Sequence, residues 1–239
     1  EHGAGFRIEL NPNNLGVAGI KQFWFMLEQL LVDNFPEFIH SAVVTRIDIA
    51  VDVTPIAPGS IWVEDNALRF TKYITGNRGE LQTVYLGGRR NKKAFCIYNH
   101  DPDTNKPVST DPLCTRIEAR IKPKCSLLEL RSIQNPFDSL RALNAVDPIN
   151  LSNEPFKYKW LLDSIRQRGL PSALRLISRY ETRQQYRSWL DDNLQPDWFD
   201  PDSIWLGYPD ACESMSLPCS RNTFAQVVSR RRRRRNKAA

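Results

Sequence analysis

The sequence predicts an α+β fold, a central antiparallel sheet covered by helices. Two observations carry that expectation. Period-two alternation and β-branched residues concentrate in the first 121 residues, and helical spacing dominates from there to about residue 195. Strands first and helices after are the pattern of helices laid on one face of an antiparallel sheet.

Phe6 to Leu10 alternates as a strand and is closed by the turn-rich Asn11-Pro12-Asn13-Asn14. Ile20, Phe23, Leu27, Leu30 and Leu31 then recur at helical spacing, which predicts a helix over about 18–34 stopped by Pro36. Residues 42–53 form the strongest strand signal in the chain, with strict alternation from Arg46 onward. Further strands are expected at about 68–74, 81–86 and 93–98, the last two joined by Gly87-Gly88-Arg89-Arg90-Asn91, and another at 115–121. Helices are expected at about 125–133, 154–168 and 172–194, the second opening on Asn153 and Pro155 as cap and first turn. From Gln195 onward Pro, Asp, Ser and Trp dominate and regular structure should fade. This gives a catalytic-sized domain at 1–195 and an irregular segment at 196–239.

A chain of 239 residues, 41% hydrophobic and 25% charged, can bury a substantial core. No apolar run is long enough to span a bilayer, since the best candidate, 23–32, is interrupted by Glu28 and Gln29. No signal-peptide pattern is present, and the sequence opens on Glu1, which leaves room for a preceding segment. Five cysteines with no C-x-x-C pair suggest free thiols and a reducing, cytoplasmic location. The formal charge of +6 comes from the end of the chain: Arg230 to Arg235 and Lys237 supply seven positive charges, and without them the charge is −1. Six consecutive arginines cannot pack together and should be disordered. They read either as an electrostatic arm for phosphates or as a solubilising or targeting tail.

The residues that point to chemistry lie on two strands. Alternation puts Ile47, Ile49, Val51 and Val53 on one face and Arg46, Asp48, Ala50 and Asp52 on the other. In 115–121, Ile117, Ala119 and Ile121 face the core and Arg116, Glu118 and Arg120 face outward. Asp48 and Asp52 are roughly 13 Å apart along a strand, too far to share one ion. Either of them beside Glu118 would make a hard-oxygen site for Mg²⁺ or Mn²⁺, with arginines to clamp phosphate oxygens. The same pattern also describes cross-strand ion pairs on a solvated face.

At these residues the chain resembles the replication initiation factor family, the rolling-circle initiators of plasmids and filamentous phages together with related relaxases. The resemblance rests on TRIDIAVDV at 45–53, TVYLGGRRNKKAFCIYNHD at 83–101 and TRIEARIK at 115–122, with a weaker match in LLDSIRQRGLPSALRLI at 161–177. It covers roughly residues 6–190. It implies nicking of one DNA strand at an origin through a covalent 5′-phosphotyrosine, and later rejoining. It assigns Asp48, Asp52 and Glu118 to the metal and acid roles; Arg46, Arg89, Arg90, Arg116 and Arg120, read from their charge and placement, are the expected DNA contacts. It implies origin DNA (double- and single-stranded) as partner in a bacterial host cell; a host helicase and a second copy of the chain in a homodimer are further candidates, and no membrane is expected from the apolar pattern. One departure stands out. The family often places an acid and then a lysine after the hairpin tyrosine, whereas Tyr98 is followed by Asn99-His100-Asp101. Arg89, Arg90, Lys92 and Lys93 could supply the missing charge, or could simply decorate an exposed hairpin, which is the commoner arrangement.

Of seven tyrosines, Tyr158 ranks first as nucleophile because it follows the acidic strands on a predicted helix between Lys157 and Lys159, although, sharing the apolar face of Leu161, Leu162 and Ile165, it also reads as a core residue. Tyr98 in the hairpin ranks second and Tyr180, near Arg179, Arg183 and Arg187, third. His2, His40 and His100 form no His-hydrophobic-His pair, which argues against the other large class of nicking enzymes. The alternatives are a mobilisation relaxase making the same cut at a transfer origin, and a non-catalytic DNA-binding protein.

Overall fold

The computed structural model describes residues 6–77, 79–100, 113–215 and 217. Among them are nine strands: β1 (Val43–Val44), β2 (Ile47–Val53), β3 (Ile61–Asp65), β4 (Thr71–Thr75), β5 (Leu81–Leu86), β6 (Lys93–Asn99), β7 (Thr115–Ile121), β8 (Cys125–Ser126) and β9 (Leu140–Asn144). The α-helices are α1 (Pro12–Leu31), α2 (Phe35–Ser41), α3 (Phe156–Arg168), α4 (Leu170–Arg175), α5 (Tyr180–Leu194), α6 (Pro201–Leu206) and α7 (Tyr208–Ser214). No helix among the described residues is long and apolar enough to cross a membrane. The chain divides into two compact units, Glu1–Thr45 with Lys124–Gln134 and Leu206–Ala239, and Arg46–Pro123 with Asn135–Trp205.

The second unit is α+β, as its alternating strands predict, and its main element is an antiparallel sheet in the order β2-β7-β6-β5-β4. Ile47–Val53 is therefore an edge strand of that sheet, and β6 occupies the middle. One face of the sheet carries Val53, Val84, Leu86, Phe95, Ile97, Ile117 and Ala119 into a core closed by Phe137, Phe199 and the β3–β9 ribbon. Ile61, Val63, Leu140 and Ala142 on one face of that ribbon join this core. On its other face Leu143 and Trp62 pack against α3, α4 and α5 through Leu161, Leu162, Ile165, Leu170, Leu174 and Leu190. The helices thus cover the sheet by way of the ribbon. Neither β3 nor β9 is legible as a strand in sequence, because a ribbon buried on both faces shows no polar–apolar alternation.

Within the first unit the segment 6–10, expected as a strand, forms no regular element, and Phe6 stacks on Phe38 with centroids 5.9 Å apart. Asn11 caps α1 by accepting from the backbone N–H groups of Asn13 and Asn14, so Asn11-Pro12 opens a helix instead of a turn. Gly16, at φ 62°, kinks it, and Leu30, expected on the apolar face, is 77% exposed. Pro36 lies in the first turn of α2 and starts a helix where it was expected only to stop one. Val43–Val44 pairs with β8 in this unit, so the long strand expected over 42–53 is two strands broken at Thr45-Arg46. The helix expected at 125–133 is β8 followed by a 3₁₀ turn, Leu127–Ser132, held by a reciprocal cap between Ser126 and Glu129. Tyr208 of α7 donates to the Leu130 carbonyl at 2.9 Å. Helices α6 and α7 fall in the segment after Gln195 that was expected to be irregular. Arg230–Arg235 and Lys237 lie outside the described residues.

The single helix expected at 172–194 is two helices, α4 and α5, and α3 opens on Pro155 without a side-chain cap from Asn153. Gly169 separates α3 from α4 at φ 80°, ψ 157°, a conformation essentially reserved for glycine. A Cβ there would stand 1.9 Å from the Tyr73 hydroxyl of edge strand β4. Gly169→Ala should cost about 1–3 kcal/mol from the backbone alone, read by chemical denaturation. Adding Tyr73→Phe should restore only part of the loss, since it removes an oxygen and leaves the dihedral strain. Wild-type stability in Gly169→Ala would contradict this account.

Candidate functional site

The outward face of the five-stranded sheet gathers the polar residues of β2, β7, β6 and β5 into rows. Register places Asp48 opposite Arg120, Ala50 opposite Glu118 and Asp52 opposite Arg116. On the next strand Ala94, Cys96 and Tyr98 stand opposite Arg120, Glu118 and Arg116. Tyr85 and Thr83 extend the Cys96 and Tyr98 rows. Glu118 is therefore between the two aspartates, diagonal to each, with its side chain only 14% exposed.

Each carboxylate is engaged. Arg46 donates to both oxygens of Asp48, from Nε at 2.8 Å and Nη2 at 2.5 Å. Arg116 grips Asp52 bidentately, with Nε and Nη2 both at 2.7 Å. Arg120 donates to Glu118 Oε1 at 2.5 Å, and the Tyr98 hydroxyl donates to Glu118 Oε2 at 3.3 Å. Burial, and then the negative charge of Glu118, push the Tyr98 hydroxyl above the usual phenol range, while Arg116 pulls the other way. Asp52 is held below its usual value first by its hydrogen bond to Arg116, with burial opposing.

That shift has a sign that can be tested. A carboxylate with a depressed folded-state pKa stabilises the fold above its unfolded value, and loses that contribution as the pH falls through the folded value. Asp52→Asn should therefore be less stable than wild type at pH 7 by at most about 1 kcal/mol, because the pair is partly exposed. The difference should vanish at the acid end of a pH series of urea melts. A gap that widens as the pH drops would refute it.

The expected basic residues divide in two. Lys93 pairs with Ile121 in register, so Ala94 beside it falls in the Arg120 row, and Arg46 immediately precedes Ile47, which also pairs with Ile121. Arg46, Arg120 and the exposed Arg89 and Arg90 of the 87–92 turn thus gather at one end of the sheet. Lys122 Nζ donates to the Arg89 carbonyl and steadies that turn. Lys93 turns to the opposite face, where its Nζ is 2.9 Å from the buried Asp65, so it cannot supply charge to the outer surface.

Of the three candidate tyrosines only Tyr98 joins the acidic cluster. Tyr158 stacks on Trp189 with centroids 4.2 Å apart and meets Tyr186 edge-on, in the helical layer beyond the ribbon. The sheet core and the ribbon separate it from Glu118. Tyr180 is exposed on α5 and accepts from Gln184. His100 sets its ring edge-on to Tyr98 at 6.2 Å. Tyr85 and Cys96 belong to the same face and escaped the sequence reading, although the alternation Ala94, Cys96, Tyr98 could have located Cys96. Cys96, Cys114 and Cys125 are free thiols, and Cys219 lies outside the described residues.

As a metal centre the face fits poorly. Among the described residues no group of three His, Cys, Asp or Glu side chains could hold a metal ion. Asp48, Asp52 and Glu118 each accept from an arginine that would have to swing away first. No protein-family model matches the sequence, and no curated protein matches it either.

Proposed function

We propose that the chain is a DNA strand-nicking and strand-transferring enzyme of the rolling-circle initiator type, with Tyr98 as the attacking residue. The observation that carries the reading is the Tyr98–Glu118 hydrogen bond on an open sheet face flanked by Arg116 and Arg120. A phenol is a weak nucleophile until a base takes its proton, and Glu118 is within reach to do so. In the proposed step the Tyr98 oxygen bonds to phosphorus and its proton passes to Glu118. The bond from phosphorus to the 3′ oxygen breaks, and that oxygen takes a proton to leave a 3′-hydroxyl end. The 5′ end stays on the enzyme as a phosphotyrosine ester, so reversal rejoins the strand. Arg116 and Arg120 would turn from their carboxylates to the non-bridging phosphate oxygens, matching the fork geometry of guanidinium and phosphate. Arg46, Arg89 and Arg90 would hold the flanking backbone, with origin DNA as substrate.

Mg²⁺ or Mn²⁺ enters this reading as a variable to be tested, and no step above is routed through it. A second reading, a DNA-binding face without catalysis, draws on the fact that every carboxylate there is already neutralised by an arginine. The two are separated with a 3′-labelled pool of random single-stranded oligonucleotides, incubated with Mg²⁺, with Mn²⁺ and in EDTA. Label migrating with denatured protein supports strand transfer. Binding without any adduct in all three conditions leaves the binding face alone, and cleavage without adduct makes the protein a water-using nuclease.

A further inference from the structure

We infer that α3 carries a second nucleic-acid site, a stacking platform for the bases of an unpaired strand, formed by Phe156 and Trp160. The two rings are one turn apart on the same helix face, 69% and 70% exposed, with centroids 5.6 Å apart and planes tilted by 44°. Large aromatic side chains are seldom left this open, and two adjacent ones form an exposed apolar ridge. The buried side of the same helix is satisfied separately by Leu161, Leu162 and Ile165, so core packing does not explain the ridge.

Charge selects the occupant. At about 100° per residue, Lys159 and Arg166 run along one flank of the ridge and Lys157 and Arg168 along the other. A single acid, Asp163, lies between them. Lys157 sits over the Tyr158 ring at 4.8 Å, Lys159 reaches the Ser152 carbonyl and Arg166 pairs with Asp147 at 3.2 Å. Each of these contacts uses only part of a multi-donor cation, and Lys157 and Arg166 remain exposed. Two exposed π faces between rows of cations match a strand whose bases are free to stack and whose phosphates need neutralising. A duplex cannot use the rings, because its bases are already stacked on each other. The site requires no chemistry at the sheet face and stands apart from the cleavage reading.

The test titrates the full chain with short oligo-dT and follows tryptophan fluorescence, with an abasic oligonucleotide of equal length and a duplex as controls. Oligo-dT should quench the emission and bind more tightly than either control. Trp160→Ala with Phe156→Ala should weaken oligo-dT binding by about five- to a hundred-fold and leave abasic binding unchanged. Trp160→Phe should keep most of the affinity and lose most of the quenching. Glu118→Gln should leave quenching intact, so the platform and the nicking reading can fail separately. Equal oligo-dT affinity in wild type and the double alanine variant would overturn the proposal. So would equal binding of oligo-dT and the abasic strand, or a Trp160 emission that shifts with protein concentration alone and so places a second copy on the ridge.

Discussion

Tyr98→Phe should abolish the covalent protein–DNA adduct, and Tyr158→Phe should leave it at wild-type yield. The substitution removes one oxygen and one partly exposed hydrogen bond, so stability should fall by no more than about 1 kcal/mol. With no oxygen at the attacking position the ester cannot form, and the loss should be complete within detection. Glu118→Gln keeps the shape and removes the proton acceptor, and adduct formation should slow by about 10²–10⁴-fold. Raising the pH should recover part of the Glu118→Gln activity, because a phenol whose pKa is pushed up by burial ionises only in alkaline solution. It should not rescue Tyr98→Phe. Peptide mapping of the adduct decides the residue directly, and an adduct that survives Tyr98→Phe and maps to Tyr158 would restore the choice made from sequence.

Glu64→Ala should be strongly destabilising, costing about 3–5 kcal/mol. The Glu64 residue is only 3% exposed and accepts from Arg141 at 2.9 Å and from Arg187 at 3.2 Å. Arg141 also reaches Asp191 and the Arg187 carbonyl, and Arg187 reaches Asn66 at 2.9 Å. One carboxylate thus holds two guanidinium groups that fasten α5 to β3 and β9. Without it, two cations in a poorly solvated place each lose a partner, which is costlier than the loss of attraction alone. At about 2–4 °C per kcal/mol for a chain of this size, the melting temperature should drop by about 6–20 °C. Amide exchange in α5 should accelerate before exchange in β6 and β7, whose core lies on the other side of the ribbon. A melting temperature within a degree of wild type would show the network to be dispensable.

What the sequence determined by itself is local. Alternation in 47–53 and 115–121 settles which residues share a face, because neighbouring side chains on a strand must point to opposite sides. Hence Asp48, Asp52, Arg116, Glu118 and Arg120 were legible as one outward set before any pairing was known. The pairing is non-local and only the tertiary structure decided it. Register set Glu118 against Ala50 and each aspartate against an arginine, a distribution that no spacing within one strand encodes. The β3–β9 ribbon was invisible for a related reason, since burial on both faces erases the periodicity by which a strand is recognised. Its presence is also what removes Tyr158 from the acidic face: a tyrosine on a helix after the strands could pack over either side, and the ribbon with its helices occupies the side away from Glu118. Tyr98 differs because its position depends on one strand pairing, β6 with β7, which sets it opposite Arg116 and diagonal to Glu118. There the local pattern and the three-dimensional neighbourhood coincide, and the residue ranked second in sequence is the one found beside the carboxylate.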